Sequence, residues 1–152
     1  MYVDPRGPRF GAAVTTVVLA AVLITSSGWL LAAQAVVFAV GAVAGLRFAP
    51  YGVLYRRLVA PRLAPPAELE AEAPPRFAQV VGLAFALVGT VGYLAGLSAV
   101  GVVATAFALG AAFLNAAFDF CLGCEVHIRL VRLLGRPVTQ RFISQQSIPR
   151  TS

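Results

Sequence analysis

The stretch FAQVVGLAFALVGTVGYLAGLSAVGVVATAFALGAAFLNAAF, residues 77–118, runs 42 residues between Arg76 and Asp119 without a charge. As one helix it would extend about 63 Å at about 1.5 Å per residue, twice the roughly 30 Å of a bilayer core. It therefore reads as two spans folded back at Gly96-Leu97-Ser98, a turn sequence just after the interface-type aromatic Tyr93. A second uncharged stretch, 37 residues between Arg9 and Arg47, breaks in the same way at Thr25-Ser26-Ser27-Gly28 before Trp29. The expected spans are residues 10–24, 30–46, 77–97 and 100–118. Composition agrees: the chain is 59% hydrophobic and 12% charged, where a soluble domain is about 25% charged. The fold class expected is an all-α membrane protein with four transmembrane helices arranged as two hairpins, residues 1–141 forming a single domain.

Arginine supplies all twelve basic residues, and its placement is lopsided. Arg6 and Arg9 precede the first span. Arg47, Arg56, Arg57, Arg62 and Arg76 separate the hairpins, and Arg129, Arg132, Arg136, Arg141 and Arg150 follow the fourth span. Neither short turn carries any. By the positive-inside rule these three segments face the cytoplasm, and with them both termini. The net charge of +6 is then accounted for by the anionic inner leaflet, and no nucleic-acid partner is expected, since no basic patch interleaved with aromatics is present. A cleaved signal ending at Ala33-Gln34-Ala35 is outweighed by the length of the apolar stretch and by the second hairpin with the same plan. The absence of lysine suggests a GC-rich bacterial genome, and hence a bacterial plasma membrane.

The hairpins echo one another. Pro8-Arg9-Phe10 opens the first block and Pro75-Arg76-Phe77 the second, while Phe48 to Val59 aligns with Phe120 to Val131 and shares its Arg-Leu-Val ending. The reading is two parallel hairpins, each followed by a short interfacial helix. For the second of these, residues 125–134, Val126, Leu130, Leu133 and Leu134 form an apolar stripe opposite Glu125, Arg129, Arg132 and Arg136. Five prolines around Glu68, Glu70 and Glu72 make residues 60–76 an extended cytoplasmic linker, and residues 142–152 a flexible tail.

The only two cysteines are Cys121-Leu-Gly-Cys124, at redox-motif spacing where the fourth span ends. If Gly123 bends the chain there, Cys124 lies at a helix start whose amides and dipole favour a thiolate. The alternative is two small apolar fillers of a helix. A cytoplasmic address argues against a permanent structural disulfide and leaves a transient disulfide or persulfide. His127 extends the pattern to C-x-x-C-x-x-H, as a group that lowers a thiol pKa or as a third metal ligand. Three ligands fall short of a closed zinc site, so no metal and no cofactor are expected, although two copies of the chain could combine their cysteines. Asn115 and Asp119 share a face near the end of the fourth span, Asp119 being either functional or paired with water, Arg47 or Arg76. Gln34 and Gln79 read as interhelical hydrogen-bond partners, and Gly41-x-x-x-Gly45 as a close-packing motif. There is no P-loop, dinucleotide fingerprint, G-x-S-x-G or pair of carboxylates within a span, which speaks against an enzyme acting alone.

Asp4-Pro-Arg-Gly-Pro-Arg-Phe10, Pro75-Arg-Phe77 and Asn115-Ala-Ala-Phe-Asp-Phe-Cys-Leu-Gly-Cys124 together resemble the bacterial membrane family catalogued as domain of unknown function 4395. The resemblance runs from Asp4 to about Leu134. It implies a small four-span protein, and by association with thioredoxin-like or sulfurtransferase partners it implies thiol or sulfur chemistry. Relatives are expected to carry an aromatic where His127 stands. The function expected is exchange of a disulfide or persulfide between Cys121/Cys124 and such a partner. The alternatives are a transporter subunit for a sulfur-containing anion, built from oligomerising hairpins, and a non-catalytic assembly subunit.

Overall fold

The computed structural model describes residues 1–137 and 142–144. The chain is predominantly helical: α1 (Arg6–Thr25), α2 (Gly28–Val43), α3 (Pro50–Leu54), α4 (Ala73–Leu94), α5 (Ser98–Phe118) and α6 (Leu122–Leu133). Among the described residues three short strands, β1 (Tyr2–Val3), β2 (Glu68–Ala71) and β3 (Phe142–Ser144), pair antiparallel in the order β1-β2-β3.

α1, α4 and α5 are long and apolar enough to cross a membrane, at 20, 22 and 21 residues; α2 is apolar but has 16. Their outer faces carry large exposed side chains, among them Val17, Ile24, Trp29, Val43, Val91 and Phe107. An apolar surface of this extent is matched by lipid rather than water. Both turns fall where the sequence indicates. Ser26 takes a left-handed conformation (φ 52°) and Ser27 caps α2 by accepting the Leu30 amide at 3.2 Å, while Gly96 (φ 79°) closes α4.

The hairpins pack across one another, α1 on α5 and α2 on α4; the second hairpin also closes on itself, α4 against α5, whereas α1 and α2 touch little. Leu19, Val22, Leu31, Ala35, Phe38, Ala86 and Ala108 form the core. Gln34, 2% exposed, ties this interior to the sheet end: its amide donates to Thr15 Oγ1 at 3.4 Å and its oxygen accepts from the Tyr51 hydroxyl at 2.7 Å. Gln79 packs against Gly41, while Gly45 lies beyond the end of α2 at φ 98° with the Glu72 carboxylate against it. Gly41-x-x-x-Gly45 therefore does not act as one helix-contact motif.

The two halves are built alike. β1 leads into α1, and α2 is followed by α3; β2 leads into α4, and α5 is followed by α6. The Pro-Arg-Phe echo shows what each copy does. Arg9 donates to the Ala116 carbonyl near the end of α5 at 3.0 Å, and Arg76 donates to the Ala42 and Val43 carbonyls at the end of α2 at 2.8 and 2.7 Å. Each arginine thus satisfies carbonyls left open at the negative end of a helix in the other hairpin. Phe10 packs on Tyr55 with centroids 5.8 Å apart, and Phe77 packs on His127 at 5.3 Å.

Several sequence expectations are corrected. Residues 60–76 are not an extended linker: α3 runs on through a π-helical turn (Tyr55–Val59) and a 3-10 turn (Ala60–Arg62), then β2 forms, and α4 already begins at Ala73. Glu70 and Glu72 are buried, Glu72 accepting the Leu46 amide at 3.0 Å. Helices α1 and α4 start ahead of the uncharged blocks because Arg9 and Arg76 reach carbonyls instead of ending the helix. In the tail, Phe142–Ser144 is strand; residues 138–141 and 145–152, with Arg141 and Arg150, lie outside the described residues. Strand pairing gathers the N-terminus, the inter-hairpin segment and the start of the tail at one end of the bundle, the sheet end.

Candidate functional site at a bundle cavity

The chain leaves α5 through a tight reversal. Asp119 adopts a left-handed conformation (φ 56°), its amide bonding Asn115 O at 3.1 Å and the Phe120 amide bonding Leu114 O at 3.3 Å, the pattern that commonly terminates a helix. The bend therefore lies at Asp119 to Cys121, not at Gly123. Asp119 is exposed beyond the span, and Arg76 is engaged at the end of α2, so neither an intramembrane carboxylate nor an Asp119–Arg76 pair is formed.

Cys121 is the N-cap of α6, and its sulfur accepts the Cys124 amide at 3.3 Å. Helix α6 thus begins at Leu122, three residues before the expected start. Cys121 and Cys124 are joined by a disulfide, with Cα atoms 5.2 Å apart. Both are buried, Cys121 5% and Cys124 1% exposed. What holds them is the docking of α6 on α4: a Cβ on Gly123 would lie 2.6 Å from both the Cα and the Cβ of Ala78. Gly123 is required by close approach. Val126, Leu130, Leu133 and Leu134 are all exposed, and Val126 also lines the bundle cavity, so the far end of the apolar stripe, at Leu130, Leu133 and Leu134, is left open as a helix lying at a membrane surface requires.

Cys121 forms part of the wall of a cavity of about 770 Å³ at the sheet end of the bundle. On α4 its lining runs from Pro75 to Phe85, about 15 Å of helix at 1.5 Å per residue. Most of the wall is apolar. Asn115, Gln79 and Tyr51 contribute polar groups to it, so the structure brings Asn115 together with Cys121 and leaves Asp119 out.

Near the mouth, Asp4 accepts hydrogen bonds from the Arg6 amide and guanidinium at 2.9 to 3.2 Å and from the Tyr55 hydroxyl at 2.9 Å. Burial pushes the Asp4 carboxyl up, but those bonds together outweigh it and hold it below the usual carboxylate range. Burial raises the Tyr51 and Tyr55 phenols, which keeps both as neutral donors. No sequence signal joins this cluster, although Asp4 and Arg6 lie in the Asp4–Phe10 segment and Tyr51 and Tyr55 in the Phe48–Val59 repeat.

His127 stands elsewhere. It packs on Phe77 and lines a separate cavity of about 380 Å³ with Glu72, Pro74 and Arg136. Its counterpart in the first half is Tyr55 on Phe10, which makes it a packing ring at a position built for an aromatic. Among the described residues no group of three or more His, Cys, Asp or Glu side chains is placed to hold a metal ion. The positions matching Cys121 and Cys124 in the first half are Ala49, the N-cap of α3, and Gly52. One half therefore carries the cysteine pair and the other only its scaffold.

Helices of membrane-crossing length, an exposed apolar belt and a cysteine pair on a bundle cavity define a small helical membrane protein with a single sulfur-bearing site. The sequence matches the family described as "Domain of unknown function (DUF4395)" over residues 3–132, and the chain belongs to that family. No curated protein and no solved structure gives a significant match.

Proposed function

We propose that the chain is a four-span thiol protein of the bacterial plasma membrane whose Cys121/Cys124 pair exchanges a disulfide or persulfide with a cytoplasmic thioredoxin-like or sulfurtransferase partner. The observation that carries this reading is the position of the pair: closed at a helix N-terminus, with Cys121 on the wall of an open cavity. Four spans are supported by the meeting of β1, β2 and β3 at one end, which asks for an even number of crossings. Helix α2 completes the fourth with residues up to Leu46. The arginines gathered at that end support a cytoplasmic face for it.

In the exchange, a partner thiolate attacks Cys121 Sγ, the Cys121–Cys124 bond breaks and Cys124 leaves and takes up a proton; it is Cys121, whose sulfur accepts the Cys124 amide at 3.3 Å, that the start of α6 favours as a thiolate when it leaves in turn. The partner's second thiol then displaces Cys121, and the partner becomes the disulfide. Since Cys121 is reached through the cavity, the partner presents its thiol on a slender loop or as a small persulfide. A transporter reading draws on the same cavity and Asn115, but Asp119 no longer belongs to it.

Cys124→Ser, its Cys121 first converted to a mixed disulfide with 5-thio-2-nitrobenzoate, is expected to pass to a stable mixed disulfide with a thioredoxin-like protein lacking its own resolving cysteine, releasing the thionitrobenzoate, whereas Cys121→Ser treated in the same way forms little. Gel mobility without reductant reads this directly. Equal capture by both variants, or by neither, would count against the assignment.

A further inference from the structure

We propose that the central cavity is a binding site for a lipid-soluble quinone, the two-electron acceptor for the reduced Cys121/Cys124 pair; this rests on the thiol reading above. Three features converge. The first is depth: the cavity has Cys121 in its wall and also Phe85 and Phe107, inside helices of membrane-crossing length. The occupant consequently meets both the sulfur and the apolar interior. The second is access. Phe107 lines the cavity yet is 64% exposed, and it stacks on Phe85 with ring centroids 6.0 Å apart, so one ring of the wall meets both the cavity and the outer surface of the bundle. The third is chemistry: the wall is mostly apolar, Asp4, Arg47, Arg56 and the tyrosines supplying most of its polar groups, and the Asn115 and Gln79 amides offer N–H donors to the carbonyls of a planar ring. A volume of about 770 Å³ holds such a ring and the start of its tail.

The two sulfurs are out of reach of bulky aqueous oxidants when the pair is reduced, since they sit on residues 5% and 1% exposed. A quinone entering from lipid does not face that barrier. The step balances: two S–H bonds break and one S–S bond forms, and the two electrons and two protons released convert both quinone carbonyls to hydroxyls. A dithiol partner then returns the pair to its reduced form, so the net reaction is partner dithiol plus quinone giving partner disulfide plus hydroquinone.

The test uses the full chain in lipid nanodiscs, reduced with dithiothreitol, desalted and mixed with decylubiquinone, with quinone absorbance and free thiols followed together. The expected result is one hydroquinone per disulfide formed, slowed at least about tenfold by Ala112→Phe, which fills the cavity wall, and by Asn115→Leu. No hydroquinone from the wild-type chain, or wild-type rates in both variants when folded by circular dichroism, would overturn the site. Exchange with a thioredoxin-like dithiol is measured on the same sample. Exchange without quinone reduction overturns the quinone site alone, and quinone reduction without exchange overturns the protein partner alone.

Discussion

Gly123→Val is expected to lift α6 from α4 and uncover the cysteine pair. The added side chain has nowhere to go, since even a Cβ would lie 2.6 Å from the Ala78 Cα, and a backbone atom on a long helix cannot rotate aside. Overpacking of this kind costs about 1–3 kcal/mol. Here it is concentrated on a contact that buries Cys124 to 1% exposure. After reduction, Cys124 in the variant should react with iodoacetamide at least about tenfold faster than in the wild type, a factor equivalent to about 1.4 kcal/mol of lost protection. An unchanged rate would mean that α6 does not depend on this contact, and the position of the pair would need another explanation.

The second large effect is expected at Gly92→Leu. A Cβ there would stand 2.7 Å from the Gly101 amide nitrogen, and Gly101 itself has the Tyr93 ring 2.7 Å from its own Cβ position. The α4–α5 hairpin closes on this pair of glycines, with small residues letting backbones approach as in other membrane helix contacts. The variant should lose about 1–3 kcal/mol of stability in detergent. Gly110→Leu is the control, as nothing lies within 4 Å of its Cβ position; it should stay within about 0.5 kcal/mol of wild type. Because Leu is the better helix former, propensity favours both changes, and equal losses at the two positions would show that the hairpin does not depend on the close Gly92–Gly101 approach.

Much of the fold was legible because charge and turn chemistry are local. Ser26, Ser27 and Gly96 sit at the reversals for the reasons visible in the sequence, and the uncharged blocks mark the bundle helices. The helix starts were misplaced by the assumption that an arginine ends a span. Arg9 and Arg76 instead bond carbonyls of the opposite hairpin, a partner that no local window contains. The small sheet escaped notice for a similar reason: β2 holds Glu68 and Glu70, which read as a solvated acidic run, yet its strand character comes from pairing with chain segments far away in sequence.

The site divides along the same line. Its spacing was legible, as was the helix following the cysteines, because both are properties of a few adjacent residues. The placement of Asn115 and Cys121 on one cavity depends on how α4, α5 and α6 pack, which periodicity alone does not give. The repeat proved more informative than its sequence echo suggested. It pairs Tyr55 with His127 and Ala49 with Cys121, and so separates the ring that packs from the sulfur that sets the second half apart.

The central claim, a four-span chain with its cysteine pair at the cytoplasmic face, is tested most directly by reporter cysteines in a Cys121→Ser/Cys124→Ser background. Ala64→Cys, between the hairpins, and Ser98→Cys, at the α4–α5 turn, are both exposed positions. In intact cells a membrane-impermeant maleimide should label Ser98→Cys alone, and Ala64→Cys should react only after lysis. Labelling of Ala64→Cys from outside, or of both positions from the same side, would contradict the account.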